Sequence, residues 1–166
     1  VFRGAMNLPR ELSLRQTTEG IRLIQKPLRE LESLRTELKS WQNEVISEGE
    51  NLLAGIEAET FELYLNVQVN PEVNRIGFNI RTLEDTQTTF GYSPKAGQLF
   101  FGRGNSGLSN FKNFSLAHVA PLSPDENGYI KLHAIVDKAS IEIFANDGLL
   151  VMSEQIFPLE NAKGLE

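Results

Sequence analysis

Three carboxylates crowd the stretch IVDKASIEIFANDG: Asp137, Glu142 and Asp147. Two acids on one face of a hairpin can share the acid and nucleophile roles of glycoside hydrolysis when they stand about 5–9.5 Å apart. The spacing leaves two alternatives here. If Lys138-Ala139 is a two-residue turn, Asp137 and Glu142 are diagonal neighbours on one face, roughly 7–8 Å apart at the backbone. If the loop is 138–140, they point to opposite faces and no pair forms. Charges at hairpin ends usually face solvent, which favours a structural reading. Asp147 lies in Asn146-Asp147-Gly148, residue types that tolerate positive φ, and reads as a turn residue.

Other chemistry is sparse. His118 and His133 fall on separate strand segments, and a lone strand histidine reads as a sheet residue. The Gly-rich run FGRGNSG (101–107) could suggest a phosphate cradle. No helix follows it, and the Gly-Lys-Ser/Thr ending of a P-loop is absent, so it reads as a turn. Asn113-Phe114-Ser115 matches the glycosylation pattern. No cofactor or metal set is visible. The chain has no cysteine, which excludes disulfides, thiol catalysis and cysteine-ligated metal.

The frame around these residues is a soluble-type composition, 40% hydrophobic and 23% charged over 166 residues, enough for one domain with a core. The net charge of -6, with no Lys/Arg cluster, argues against nucleic acid and anionic membranes as partners. No apolar run reaches the roughly 20 residues that span a bilayer. The chain opens VFRGAM, with neither an initiator Met nor a visible signal peptide, and so reads as part of a longer protein.

Residues 1–26 read as extended, with IRLIQ following a Glu19-Gly20 turn. Leu28, Leu31, Leu34 and Leu38 then recur at helical spacing after Pro27, a residue suited to a first helical turn. This predicts one short amphipathic helix ending near Lys39 or Trp41, its leucines packed on the domain's own sheet. Strands are expected at 61–69, 75–82, 88–92, 98–102, 114–118, 129–136, 140–145 and 149–157. In 61–69, Phe61, Leu63, Leu65 and Val67 alternate with Glu62, Tyr64, Asn66 and Gln68, the pattern of a strand buried on one face. In 129–136, Ile130, Leu132, Ala134 and Val136 share a face opposite Lys131, His133 and Ile135. Many short strands between turn signals predict an all-β fold: an antiparallel β-sandwich, jelly-roll or concanavalin-like, with one short N-terminal linker helix.

Several motifs together resemble one family. FRGAMNLPRELSL (2–14) resembles the junction after the catalytic propeller of glycoside hydrolase family 32, which holds levanases, exo-inulinases and invertases. LRELESLR (28–35) is similar to its linker helix, and TTFGYSPKAGQLFFGRGNSG (88–107) to a paired-strand segment of its C-terminal domain. Phe111, Phe114, His118, Ala120 and Pro121 continue that pattern. IVDKASIEIFANDG followed by IFP (156–158) resembles the domain's most recognisable signature. The similarity runs collinearly over nearly the whole chain. Phe2 stands where the family often has Trp, Gly102 where an Asp commonly precedes Arg103, and Lys138-Ala139 where Arg-Ser is usual.

The resemblance implies a division into the end of a propeller and linker strand (1–26), a linker helix (27–40) and a β-sandwich (41–166). Catalysis in the family belongs to motifs like Trp-Met-Asn-Asp-Pro, Arg-Asp-Pro and Glu-Cys. This chain has no Asp-Pro and no cysteine, so none of those roles carries over. Asp137 and Glu142 then read as parts of a structural hairpin. The implied function is that of a non-catalytic domain stabilising a five-bladed catalytic propeller of a β-fructofuranosidase, with a homo-oligomer as a further partner the resemblance allows. The alternative is a fructan (levan or inulin) carbohydrate-binding module. Its candidates are the aromatics Tyr92, Tyr129 and Trp41, taken as exposed, with Arg103 and Asn105 as polar partners. The fructanase relatives imply an extracellular setting; relatives that cleave phosphorylated sucrose stay in the cytoplasm.

Overall fold

A computed structural model describes residues 6–108 and 114–166. Asn113 of the glycosylation pattern, with Phe2 and Phe111, lies outside the described residues.

Eleven strands are present among the described residues: β1 (Arg10–Thr17), β2 (Gly20–Pro27), β3 (Phe61–Gln68), β4 (Ile76–Leu83), β5 (Thr86–Ser93), β6 (Gln98–Asn105), β7 (Ala117–Pro121), β8 (Tyr129–Asp137), β9 (Ser140–Ala145), β10 (Leu150–Gln155) and β11 (Gly164–Leu165). They form a β1-β2 hairpin, a four-stranded sheet ordered β10-β9-β8-β3 and a five-stranded sheet ordered β11-β4-β5-β6-β7, antiparallel throughout. This is the all-β antiparallel sandwich that the alternating sequence predicts.

The two larger sheets bury their inner faces against each other. Ile130, Leu132, Ala134 and Val136 of β8, Ile141 and Ile143 of β9, and Met152 of β10 meet Ile80 of β4, Phe90 and Tyr92 of β5, and Leu99 and Phe101 of β6 in one cluster. Period-2 alternation selects these residues, because successive side chains of a strand point to opposite faces. Burial of such apolar side chains stabilises the fold by about 1.5–3 kcal/mol each. Two details of this packing stand out. Gly77 and Gly91 face each other across β4 and β5, and a Cβ on Gly91 would lie 2.2 Å from the Ile76 carbonyl oxygen. The Thr88 hydroxyl is buried without a hydrogen-bond partner.

Three expectations need correction. The helix expected from Pro27 to Lys39 or Trp41 is a short 3₁₀ helix of six residues, Arg29–Leu34; Arg35 is already extended. No regular helix or strand follows until β3. The leucine stripe is covered only in part: Leu28 and Leu31 are half-buried, whereas Leu34 is exposed and Leu38 is 86% exposed. The surface reached by the end of this segment is polar, since Arg35 runs to Glu62 and Tyr64, so Leu34 and Leu38 find no apolar seat there. The strand expected at 114–118 starts instead at Ala117, where it pairs with Gly102 of β6.

The two packing details make opposite predictions for urea unfolding. Gly91→Ala drives a methyl group into backbone and should cost at least about 2 kcal/mol. Thr88→Val keeps the shape, removes an unpaired hydroxyl and should add about 1 kcal/mol. A neutral Gly91→Ala or a destabilising Thr88→Val would contradict this account of the core.

Candidate functional site

Each core strand also carries an outer face, and on the four-stranded sheet that face is built in rows. Opposed residues of an antiparallel pair share a face. Register therefore aligns Ser153, Glu142, Ile135 and Glu62 in one row, Val151, Phe144, His133 and Tyr64 in the next, and Lys131 with Asn66 beyond. The β1-β2 hairpin docks on these rows. Arg10 binds the Glu142 carboxylate and places its guanidinium 5.3 Å from the Phe144 ring centre. The Leu8 N–H donates to Glu142 Oε1 at 2.5 Å, and the Gln25 N–H donates to the Gly148 carbonyl at 3.0 Å. Ile24 is buried by the same docking.

Beside the docked hairpin, Tyr64 and His133 of the second row close into a network around Glu62 of the first. Arg35 Nε donates to Oε2 at 2.5 Å and Arg35 Nη2 to Oε1 at 3.0 Å. The Tyr64 hydroxyl donates to Oε1 at 2.9 Å, and His133 Nε2 lies 2.6 Å from the same oxygen. A carboxylate only accepts, so Nε2 carries the proton. Tyr64 and His133 stack with ring centres 4.1 Å apart and planes 16° apart. A pocket of about 440 Å³ opens between this network, the hairpin and the 3₁₀ helix.

The opening question is answered by the first row. Asp137 pairs with Ser140 and Ile135 with Glu142, so Lys138-Ala139 is the two-residue turn and the two acids do share a face. They do not form a catalytic pair. Glu142 is only 5% exposed, with its oxygens taken by Arg10 and the Leu8 N–H, whereas Asp137 caps its own turn through the Lys138 N–H. Asp147 has φ +61° in the predicted turn and pairs with Lys131 at 3.1 Å.

The candidate sugar ligands are scattered. Tyr92, expected to be exposed, is 1% exposed; it shares the inner face of β5 with Thr88 and Phe90, and its hydroxyl donates to the Leu122 carbonyl. Burial pushes that hydroxyl's pKa up. Arg103 is buried by the same alternation, after Leu99 and Phe101. It bridges the two sheets, donating to Glu154 Oε2 and the Gln155 carbonyl at 2.8 Å, and lies 3.8 Å from the Phe114 ring centre. Glu154 also holds His118 at 2.5 Å. Asn105 donates to the Asp85 carbonyl, and Trp41 lies partly exposed in the irregular segment. Tyr129 lies on the outer face two residues before Lys131. Among the described residues no group of three or more acidic or histidine side chains is placed to hold a metal ion. Sequence reasoning missed the Glu62 network, although strand alternation already put Tyr64 and His133 on outer faces; the β3–β8 register that joins them is non-local.

The network sets the titration of its members. Burial alone would raise the Glu62 pKa, but hydrogen bonds from Arg35, Tyr64 and His133 outweigh it and hold it at about 2. Burial, reinforced by the bond to Glu62, pushes Tyr64 up to about 12. Burial lowers His133 despite its bond to Glu62. Both the Glu62 and His133 shifts are depressions, so in each case the unfolded chain binds protons more readily and stability falls with falling pH. The His133 contribution is complete above the ordinary value of 6.5 and is lost below it; that of Glu62 is complete above 4.5 and is lost on the way to about 2. Urea midpoints measured from pH 8 to pH 3 should decline in these two windows. Glu62→Gln should flatten the lower one, and an unchanged slope there would refute the assignment.

Comparison with known proteins places this geometry. Residues 30–166 match the family model described as glycosyl hydrolases family 32 C terminal. A levanase of Bacillus subtilis (strain 168) is 40% identical over 99% of this chain, which spans 25% of that protein. An extracellular exo-inulinase of Aspergillus niger is 31% identical over 97% of the chain, which spans 31% of it. The crystal structure of an exo-inulinase from Aspergillus awamori superposes with a TM-score of 0.82 and 26% identity, covering 99% of this chain and 32% of that one. The chain thus spans about a quarter to a third of these relatives. The family match takes in both sheets of the sandwich and the signature strands, and the chain belongs to the glycosyl hydrolase family 32 C-terminal family.

Proposed function

We propose that this chain is the non-catalytic β-sandwich of a fructan- or sucrose-hydrolysing glycosidase and that it stabilises the catalytic domain before it. The observation that carries this reading is an exposed apolar cluster on the docked hairpin. Leu14 and Leu23 are direct register partners, flanked on the same face by Leu12 and Ile21, and all four are exposed, Leu14 at 73%. Leu34, Leu38 and Val45 add further exposed apolar groups in the segment after β2. Clustered apolar surface of this kind marks an interaction site. The occupant is the catalytic propeller of the same polypeptide, since the levanase and exo-inulinase relatives extend well beyond the part matched here. In this reading residues 1–26 are the junction, 27–40 the linker and 41–166 the accessory domain. The extracellular exo-inulinases among the relatives support a location outside the cell.

The engaged state of Glu142 supports the absence of hydrolysis by the chain itself. Purified alone, the chain should release no fructose from levan, inulin or sucrose; release abolished by Asp137→Asn would restore the acid pair. Linked to its catalytic domain, it should lengthen that domain's half-life at elevated temperature several-fold. Leu14→Asp with Leu23→Asp should cancel the gain while the sandwich keeps its own melting temperature. Equal inactivation rates with and without the chain would refute the stabilising role.

A further inference from the structure

The pocket beside the Glu62 network has the dimensions of a small-molecule site: about 440 Å³, within the usual range of about 300–1,000 Å³. Its lining carries four carboxylates and four basic side chains. Most are already closed into pairs: Arg35 with Glu62 at 2.5 Å and with Glu32 at 3.6 Å, and Lys131 with Asp147 at 3.1 Å. A charged ligand seated against Arg35 or Lys131 would have to displace Glu62 or Asp147 from its partner, a penalty added to its own desolvation. An uncharged polyol carries no such penalty. Each hydroxyl can donate to a carboxylate oxygen while accepting from a guanidinium or ammonium group.

Tyr64 supplies the flat surface such a ligand needs. It remains 60% exposed although His133 is stacked on it and the Arg35 guanidinium lies over the ring, 5.6 Å from its centre. Its ring is fixed in advance by that stack and by the hydroxyl bond to Glu62. A platform already ordered adds little entropy cost on binding. Asn66, one register row on and exposed, offers both donor and acceptor without an ion pair to break.

We propose that this pocket binds an uncharged saccharide, with Tyr64 as the stacking platform and Asn66, Lys131 and Asp147 as its hydrogen-bonding rim. The pocket is distinct from the apolar face formed by Leu12, Leu14, Ile21 and Leu23. The ligand class rests on the pocket's own chemistry; the choice of fructose oligomers as the first probe rests on the proposed function.

The test is titration of the isotope-labelled chain with inulin and levan oligosaccharides, with a glucose oligomer as a second neutral probe and a uronic acid oligomer as a charged one, followed by amide NMR. The expected result is saturable shifts at Tyr64, Asn66, Lys131 and His133 with neutral sugars and none with the charged oligomer. Tyr64→Ala should weaken binding at least tenfold. Asn66→Ala, which touches no ion pair, should weaken it several-fold at unchanged melting temperature, and keeps the test readable if Tyr64→Ala loosens the strand. No shifts from any neutral sugar up to about 10 mM, shifts confined to other residues, or preference for the charged oligomer would overturn the proposal. Binding of the glucose oligomer alone would support the pocket while counting against the fructan reading. Loss of sugar binding beside an intact stabilising effect would overturn the pocket alone.

Discussion

The ion pair between Arg10 and Glu142 holds the outer half of this molecule together. Glu142 sits on a strand whose alternate residues, Ile141 and Ile143, are committed to the core, so its own side chain must emerge on the outer face. There it is covered and almost wholly removed from water. A buried carboxylate is tolerable only with its charge matched and its lone pairs filled, and breaking such a pair typically costs about 3–5 kcal/mol. Arg10 and the Leu8 N–H meet that demand, and both come from the N-terminal hairpin. The acid that resembles a catalytic group in the sequence is therefore the anchor that fixes where the hairpin lies. With the hairpin so placed, Leu12, Leu14, Ile21 and Leu23 are left exposed and one wall of the pocket is defined.

The same alternation explains what could be read from the sequence. Strands β3 and β8 are legible because their inward apolar residues recur with a period of two. The inward direction of Tyr92 and Arg103 was equally legible: Tyr92 is two residues from Phe90, and Arg103 two from Phe101. Reading them as surface ligands gave residue type more weight than position. A buried arginine escapes the usual rule because the two sheets supply it with a carboxylate, carbonyls and an aromatic face.

The leucine segment failed for a different reason. Its helical spacing is real, yet a short helix needs an apolar surface to lie on, because propensity alone does not hold it in water. The surface within reach offers Glu62 and Tyr64, and Arg35 is drawn to them instead. Periodicity records that the leucines share a side, not which chain covers it. Likewise, the Glu62 network depends on the pairing of β3 with β8, residues about 70 positions apart, which no local pattern encodes.

Gly148 shows how tightly the parts are coupled. It closes the turn between β9 and β10 with φ +85°, after Asn146 and Asp147 at φ +46° and +61°. Asp147 in that turn neutralises Lys131 at the pocket rim. The Gly148 carbonyl accepts from Gln25, and a Cβ at 148 would come within 2.0 Å of the Gln25 carbonyl oxygen. The left-handed turn and the close approach of β2 thus impose the same requirement on one residue. A side chain there would push the hairpin off the sheet, strain the Arg10–Glu142 pair and open the pocket in one movement. The hairpin's contact with the sheet therefore links the sandwich core, the exposed apolar cluster and the pocket wall.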